Sequence, residues 1–460
     1  MNGPTTSPAK PRLRRVMRGT EYFTLAFGSI VGVGWMVVLE QWFRRGGPVG
    51  AMLGFLLGGI ALVPVVYVYG RLAQRIPEAA SEVAYTGAVF PRSVSFATGW
   101  AMALTYVMVC PWETVAMCKI TAYLFPQLKV LELYQVGGLQ VYLPYLLVGL
   151  ATVGIITFIN YRGVLQSTAF QNVTTFGLLA IFCVFAPLGL SRGNVANLSP
   201  PFANEAGTWG SVLSVLMILQ IMPYYLTGFE TIPKCAEEAA ADFPPRRFLP
   251  VMLLALGVAT VFYVSVPGIV GLLKPWQELI EVDFATAVAF EQAFDWNWLV
   301  RLMMLGVVLS LLKVFNGNFL AATRLLYAMG NRELLGGPLG RIHPEFQTPA
   351  VAIILVGAVT AIAALFGETI LEPISEVGSF TCALGWLATC LAFCSGAAGK
   401  LMPIGWAMGL AGVLTAGSFV VIVAAGFGVW EWLVCAAWAA CGVALWLARR
   451  GDGLAIKQLP

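Results

Sequence analysis

The chain has 460 residues, of which 59% are hydrophobic and 11% charged, with a net charge of +4 and a mean hydropathy of +0.81. A water-soluble domain has no use for so much apolar surface, and the long uncharged gaps match the roughly 20 apolar residues of one membrane span. Nine cysteines without a CxxC pair argue against a disulfide framework or a zinc site. The single histidine, His343, excludes a histidine triad or metal cluster within the spans, and nothing suggests nucleic-acid binding.

Residues 1–18 are rich in Pro, Ser and Arg and read as a disordered basic tail. Lys10, Arg12, Arg14, Arg15 and Arg18 precede a full-length apolar run, which is not the pattern of a cleavable signal. Twelve spans follow, near 20–43, 49–71, 95–125, 141–159, 170–190, 211–233, 248–272, 298–329, 350–366, 371–394, 402–425 and 430–448. The predicted fold is an all-α multi-pass membrane protein. With the N-terminus inside, 19 of the 27 Lys and Arg residues fall on the inner side, five lie outside and three fall within spans. Excess Lys and Arg mark cytoplasmic segments, so both termini are expected in the cytoplasm, with the spans in the plasma (cell inner) membrane.

Two spans carry the features that set the rest. The first contains Gly28-Ser29-Ile30-Val31-Gly32-Val33-Gly34. Three glycines in seven residues weaken a helix by roughly 1 kcal/mol each relative to alanine. In lipid a loosened backbone survives only against protein or a wet cavity. A close helix–helix contact made by small residues is the ordinary alternative. The sixth span reads Pro223-Tyr224-Tyr225-Leu226-Thr227-Gly228-Phe229-Glu230, then Pro233, and should also break. Spans one and six are five apart, so they hold equivalent places in two halves of opposite direction. Interrupted helices at matching places of an inverted repeat point to a midplane transport site.

These residues resemble the amino acid–polyamine–organocation family of permeases. Gly28 to Met36 is similar to the family's glycine signature, and Gly47-Pro48, Arg71 to Pro77 and Gly99-Trp100 match as well. So do Asn160 to Val164, the sixth-span exit from Gly228 to Pro250, and Ala321 to Gly336 followed by Thr348-Pro349. Ala80-Ser81 departs from a frequent Gly-Gly. The resemblance implies a ten-helix inverted-repeat core over 19–395, with repeats near 19–192 and 208–395. Two peripheral helices over 396–448 and a cytoplasmic tail over 449–460 would follow. It implies that backbone N–H groups of Ser29, Ile30, Gly32, Val33 and Gly34 hold a substrate carboxylate. Tyr224, Tyr225, Leu226, Thr227 and Gly228 would hold the amine side, with Tyr224 or Tyr225 as a gate. Many members carry a lysine in the fifth span in place of a sodium ion. This chain has none there, and Leu178 sits near that position.

Charges at membrane depth are functional candidates, since each costs at least about 2.5–3.5 kcal/mol to insert. Glu113 lies mid-span three and Lys313 mid-span eight, with Lys119 less deep. Glu113 and Lys313 are expected within about one water of each other. An unpaired Glu113 would attract an amine, whereas a neutralised one would suit a zwitterion. Glu230 is read either as a gate or proton carrier, or as a carboxylate capping freed N–H groups. Asn316 and Asn318 could line a cavity or bond between helices. Trp35, Trp112 and Met117 are candidates for shaping the pocket. Glu237 and Glu238 are read as surface charges or an inner gate.

The expected function is secondary active transport of an amino acid by alternating access, proton-coupled or by exchange, with sodium also considered. Polyamine or small-amine transport using Glu113 is the alternative. An embedded enzyme would need a nucleophile or metal cluster, and a channel a continuous polar stripe; a sensor of the same fold stays open. No cofactor and no metal are expected, and the partners are the substrate and the lipid bilayer.

Overall fold

The computed structural model describes residues 13–451 apart from 205, 283, 295 and 397–402. The chain is helical almost throughout. In order come α1 (Gly19–Ile30), α2 (Gly34–Val37), α3 (Leu39–Arg75), α4 (Glu82–Gly87) and α5 (Arg92–Leu124). A hairpin of β1 (Glu132–Val136) and β2 (Leu139–Tyr142) leads into α6 (Leu143–Arg162) and α7 (Val164–Ser191). Then follow α8 (Gly207–Leu226), α9 (Thr231–Lys234), α10 (Phe248–Leu273), α11 (Trp276–Leu279), α12 (Ala285–Phe294) and α13 (Asn297–Asn331). The last four are α14 (Ala350–Ala364), α15 (Leu371–Ser395), α16 (Pro403–Ala424) and α17 (Val429–Gly451).

Among the described residues, ten helical stretches are long and apolar enough to cross a membrane. The expected first span falls short because it is broken into α1, α2 and the front of α3. The expected ninth is the 15-residue apolar helix α14. The first and second expected spans also join without a loop: α3 continues through Gly47, whose φ of +67° kinks it before Pro48. Glycine is required there twice over. The left-handed φ strains any side chain, and a Cβ would sit 2.8 Å from the amide nitrogen of Ala203.

Two further differences have local causes. The fourth span was expected from residue 141, but 139–142 form β2. Gly137 and Gly138 both have positive φ and close a two-residue hairpin turn, the Gly-Gly signature of such turns. The basic tail was expected to be disordered to residue 18, but Leu13 to Arg18 are ordered, with Leu13 and Met17 buried. Met17 forms a bridge to Ala239: the Val16 and Met17 N–H groups donate to Glu238 O at 2.8 and 2.9 Å, and Ala240 N–H donates to Met17 O at 2.9 Å. Backbone pairing, which charge composition does not foretell, holds this stretch. Residues 1–12 and 452–460 of the expected tails lie outside the described residues.

The core packs α3 against α8 and α10, α5 against α13 and α15, and α1 among α7, α10 and α13. Helix α17 stands at the edge, with Trp430, Leu433 and Val443 exposed as a lipid-facing surface requires. It is held by a reciprocal clasp: Trp100 Nε1–H donates to Trp438 O and Trp438 Nε1–H to Trp100 O, at 2.8 and 2.9 Å, with the rings stacked 4.3 Å apart.

Replacing Gly47 by alanine is expected to cost about 1–3 kcal/mol through forced left-handed backbone. The check is the thermal midpoint in detergent, with Gly154→Ala as comparator, because a Cβ at that helical glycine meets nothing within 4 Å. Equal midpoints for the two variants would contradict the strain at Gly47.

Candidate functional site

Helix α1 ends at Ile30, and Val31 turns to extended backbone (φ −85°, ψ 95°). Side chains from two distant helices take over the groups the helix releases. From α10, Tyr263 donates its hydroxyl to Ile30 O at 2.9 Å and accepts Gly32 N–H at 3.1 Å. From α13, Ser310 reaches Gly32 O at 2.8 Å and Val31 O at 3.2 Å. Lys313 Nζ donates to Val31 O and, at 3.4 Å, to Gly28 O, and Asn318 Nδ2 donates to Ser29 O at 3.3 Å. The N–H groups of Val33, Gly34 and Trp35, which lead into α2, find no backbone acceptor among the described residues.

The second break lies directly behind the first. Helix α8 ends at Leu226, Thr227 is extended, and Gly228 has φ +129°. A Cβ on Gly228 would lie 2.8 Å from Ile30 N and from Ser29 C, so the two unwound segments touch main chain to main chain. Glu230 closes the break. Its Oε2 accepts Gly228 N–H at 2.9 Å, and its Oε1 accepts the Thr227 hydroxyl at 2.5 Å and Trp386 Nε1–H at 3.2 Å. Of the two readings open for Glu230, this geometry matches the capping carboxylate. The carbonyls of Tyr224, Tyr225 and Leu226 end α8 without a backbone donor among the described residues.

A small cavity opens between the breaks, about 20 Å³ of space for the centres of water molecules, room for one or two waters. Ser29, Ile30, Gly32, Val33, Gly34, Glu113, Tyr224, Tyr225 and Thr227 line it, as expected from the sequence. Val109, Trp112, Tyr263, Val314 and Asn318 complete the wall. Four buried polar atoms in this wall have no partner among the described residues: Ser29 Oγ, Glu113 Oε2, Tyr224 Oη and Asn318 Oδ1. Buried polar atoms are normally satisfied, so four orphans around one hollow mark a place built for something polar. The Tyr225 ring lies against Gly34, where a Cβ would come 2.6 Å from Cε1.

Several expected members lie elsewhere. Met117 and Leu226 are buried outside the cavity wall, and Gly228 is spent on the contact between the breaks. Asn316 bonds between helices: its Oδ1 accepts from Asn160 Nδ2 at 2.9 Å and Ser167 Oγ at 3.1 Å, and its Nδ2 donates to Gln171 Oε1 at 2.8 Å. Trp35 packs edge-on against Phe185 and Phe262. Lys313 stands behind the wall and makes no ion pair with Glu113 closer than 4 Å, because the carbonyls of the first break hold its ammonium. The two charges are close enough to interact electrostatically. Tyr263 had no sequence signal beyond being a polar ring in an apolar span.

Ion pairs lie toward both ends of the bundle. At the end where the chain starts, Lys234 pairs with Glu82 at 2.6 Å and Arg324 with Glu238 at 2.7 Å, all four fully buried. The surface reading of Glu238 therefore fails; burial between α13 and the tail backbone sets its role. Glu237 accepts Ala79 N–H at 3.0 Å, and burial raises its carboxyl pKa above the ordinary value. Tyr22 Oη donates to Cys235 O at 2.9 Å, tying the base of α1 to the end of α9. At the other end Arg45 pairs with Glu376 at 3.1 Å and Arg44 with Glu281 at 3.3 Å. Lys119 lies 5.8 Å from the centre of the Phe284 ring.

Comparison with known proteins gives the family. A sequence model described as amino acid permease matches residues 20–447. The chain is 25% identical over 360 residues to the methylthioribose transporter of Bacillus subtilis, covering 76% of this chain and 74% of that one. It is 24% identical over 373 residues to the branched-chain amino acid permease BcaP of the same organism, covering 79% and 76%. With cationic amino acid transporter 4 of Mus musculus it shares 24% over 370 residues, 78% of this chain and 56% of the relative. The match runs unbroken across both interrupted helices and every wall of the cavity, and the chain belongs to the amino acid permease family, a multi-pass membrane transporter and not an enzyme.

Proposed function

We propose that the protein moves an amino acid across the cell membrane by alternating access, with twelve spans and both termini cytoplasmic. Residues 19–395 form a ten-helix inverted-repeat core in this reading, and 396–448 two peripheral helices. One observation carries it: two helices unwind back to back around a hollow ringed by four buried polar atoms without partners. The free N–H groups from Val33 to Trp35 suit a carboxylate, since the start of a helix favours negative charge. Glu113, Ser29, Asn318 and the terminal carbonyls of α8 suit an ammonium. Tyr225, lying over Gly34, is the gate nearest the carboxylate position. The names of the relatives support the class: one is a branched-chain amino acid permease and one a cationic amino acid transporter.

A small amine is the second reading, favoured by Glu113 Oε2, which no cation holds. Replacing Glu113 by glutamine separates the two. Loss of a charged hydrogen bond costs roughly 1.5–3 kcal/mol, so uptake of whichever class uses Glu113 should fall at least about tenfold. Uptake of an amino acid panel and an amine panel into liposomes checks this, and unchanged selectivity would remove Glu113 from the site.

Lys313 holds carbonyls of the first break from the α13 side, where a bound cation would otherwise stand. Uptake is therefore expected to be independent of sodium and driven by a proton gradient or by exchange. Varying the two gradients separately in liposomes tests it; strict sodium dependence would overturn the assignment. Lys313→Met should abolish uptake while the protein still folds well enough to be purified.

Inward opening requires the buried Lys234–Glu82 pair to part. Cys235, next to Lys234 and fully buried, reports on it. With Glu82→Gln, labelling of Cys235 by a thiol reagent supplied from the cytoplasmic side should rise several-fold over wild type, since breaking a buried pair costs roughly 3–5 kcal/mol. Peptide mass mapping separates Cys235 from the other eight cysteines, and an unchanged rate would remove the pair from the closure.

A further inference from the structure

A second, larger cavity of about 530 Å³ lies away from the helix breaks, under the β1–β2 hairpin. Its floor is apolar: Val115 and Ala122 of α5, Leu146 of α6 and Ala364 at the end of α14. Its rim is polar and aromatic, with Lys129, Gln140, Tyr142, Tyr145 and Glu368. The hairpin is fastened over it. Tyr134 Oη donates to Leu365 O at 2.7 Å, and Gly137 approaches Thr369 so closely that a Cβ would lie 2.6 Å from its Cγ2. Lys129 Nζ stands 5.6 Å from the centre of the Tyr142 ring. Neither Lys129 nor Glu368 joins an ion pair or a side-chain hydrogen bond among the described residues.

We propose that this cavity binds a zwitterion carrying both an anionic group and an ammonium, with Lys129 facing the first and Glu368 the second. One wall supplies a cation and another an anion, with aromatic rings between and apolar depth beneath, and the hairpin closes the roof. A simple anion would leave Glu368 opposed, and a simple cation would leave Lys129 opposed. Two sources share this chemistry: a free amino acid, and the headgroup of a phosphatidylethanolamine whose chains follow the apolar floor. The site bears on the central hollow through α15. Glu368 belongs to the turn that runs into α15 at Leu371, and Leu371 O accepts the indole N–H of Trp112, a wall residue of the central cavity, at 3.0 Å. An occupant that orders this turn also orders Trp112.

Photo-crosslinking on the full-length protein in nanodiscs tests the site without relying on uptake. One arm uses a phosphatidylethanolamine with a photoactivatable headgroup, the other photoleucine in the buffer, and adducts are mapped by peptide mass spectrometry. Adducts on 138–145 and 364–368 from either probe support the site, and the arm that produces them identifies the source. They should fall about tenfold in the Lys129→Ala/Glu368→Ala variant, the loss expected for charged hydrogen bonds. Both side chains are exposed, so the variant keeps its fold. No adducts there from either probe, or adducts undiminished in the double variant, would overturn the proposal. Photoleucine adducts on 28–34 or 224–228 report the central site separately, so failure of one site is not mistaken for failure of the other.

Discussion

A main chain that leaves its helix inside a membrane must find new partners, because lipid supplies none, and each group left bare costs several kcal/mol. That constraint organises this molecule. The carbonyls of Gly28, Ser29, Ile30, Val31 and Gly32 are taken by Lys313, Asn318, Tyr263 and Ser310, from two helices some 230 to 290 residues away in sequence. The second break is satisfied more locally, by Glu230 two residues after Gly228. The first unwound segment is therefore held by tertiary structure and the second largely by itself. A shift of α13 relative to α1 would strip donors from the first break at once, whereas the second keeps its Glu230 cap. Four side-chain atoms left free, on Ser29, Glu113, Tyr224 and Asn318, belong to the wall of one hollow, which is where a solute could complete the set.

The same constraint explains the buried charges. Lys313 is costly to insert, yet its ammonium meets carbonyls that need donors, so each offsets the desolvation of the other. Glu230 does this with opposite sign at the N–H side. Lys234–Glu82 and Arg324–Glu238 are full ion pairs, and Lys234 also donates to Glu230 O at 3.3 Å. Replacing a buried pair with apolar residues is often neutral or stabilising, so such pairs are weak evidence for stability. Their placement between the hollow and one end of the bundle fits a closure that must open again, which an apolar seal of the same size would resist.

Both breaks were legible because glycine and proline interrupt an otherwise apolar run, a purely local signal. The cavity between them is lined by Ser29, Ile30, Gly32, Val33 and Gly34 of the first break and Tyr224, Tyr225 and Thr227 of the second. What lay beyond reading was partnership across the fold. Glu113 and Lys313 sit at matching depths, which places them near each other, but depth along a span does not give the rotation of a helix about its axis. That rotation points Lys313 at carbonyls and leaves Glu113 Oε2 free. Asn316 and Asn318 are two residues apart, so they lie about 200° apart around the helix; one became interhelical glue and the other cavity wall. The hairpin is legible in Gly137-Gly138, but the hydropathy of the following span runs into it and masks β2.

Size settles what must move for a solute to be held. The central hollow has room for one or two waters, although its wall offers hydrogen-bonding capacity for several groups. The mismatch lies in the aromatic side chains. Tyr225 rests on Gly34, and Trp112 stands 6.2 Å from Tyr224, centre to centre. Swinging these rings outward would enlarge the space; Tyr225 packs by ring contacts with Trp42, Phe55 and Tyr263, the last of which also holds the first break. Tyr263 and Asn318 both hold the backbone open and line the cavity, whereas Tyr225 and Trp112 only line it. Substitutions at Tyr225 or Trp112 should change which solutes fit, whereas substitutions at Ser310, Lys313 or Tyr263 should change whether the site exists.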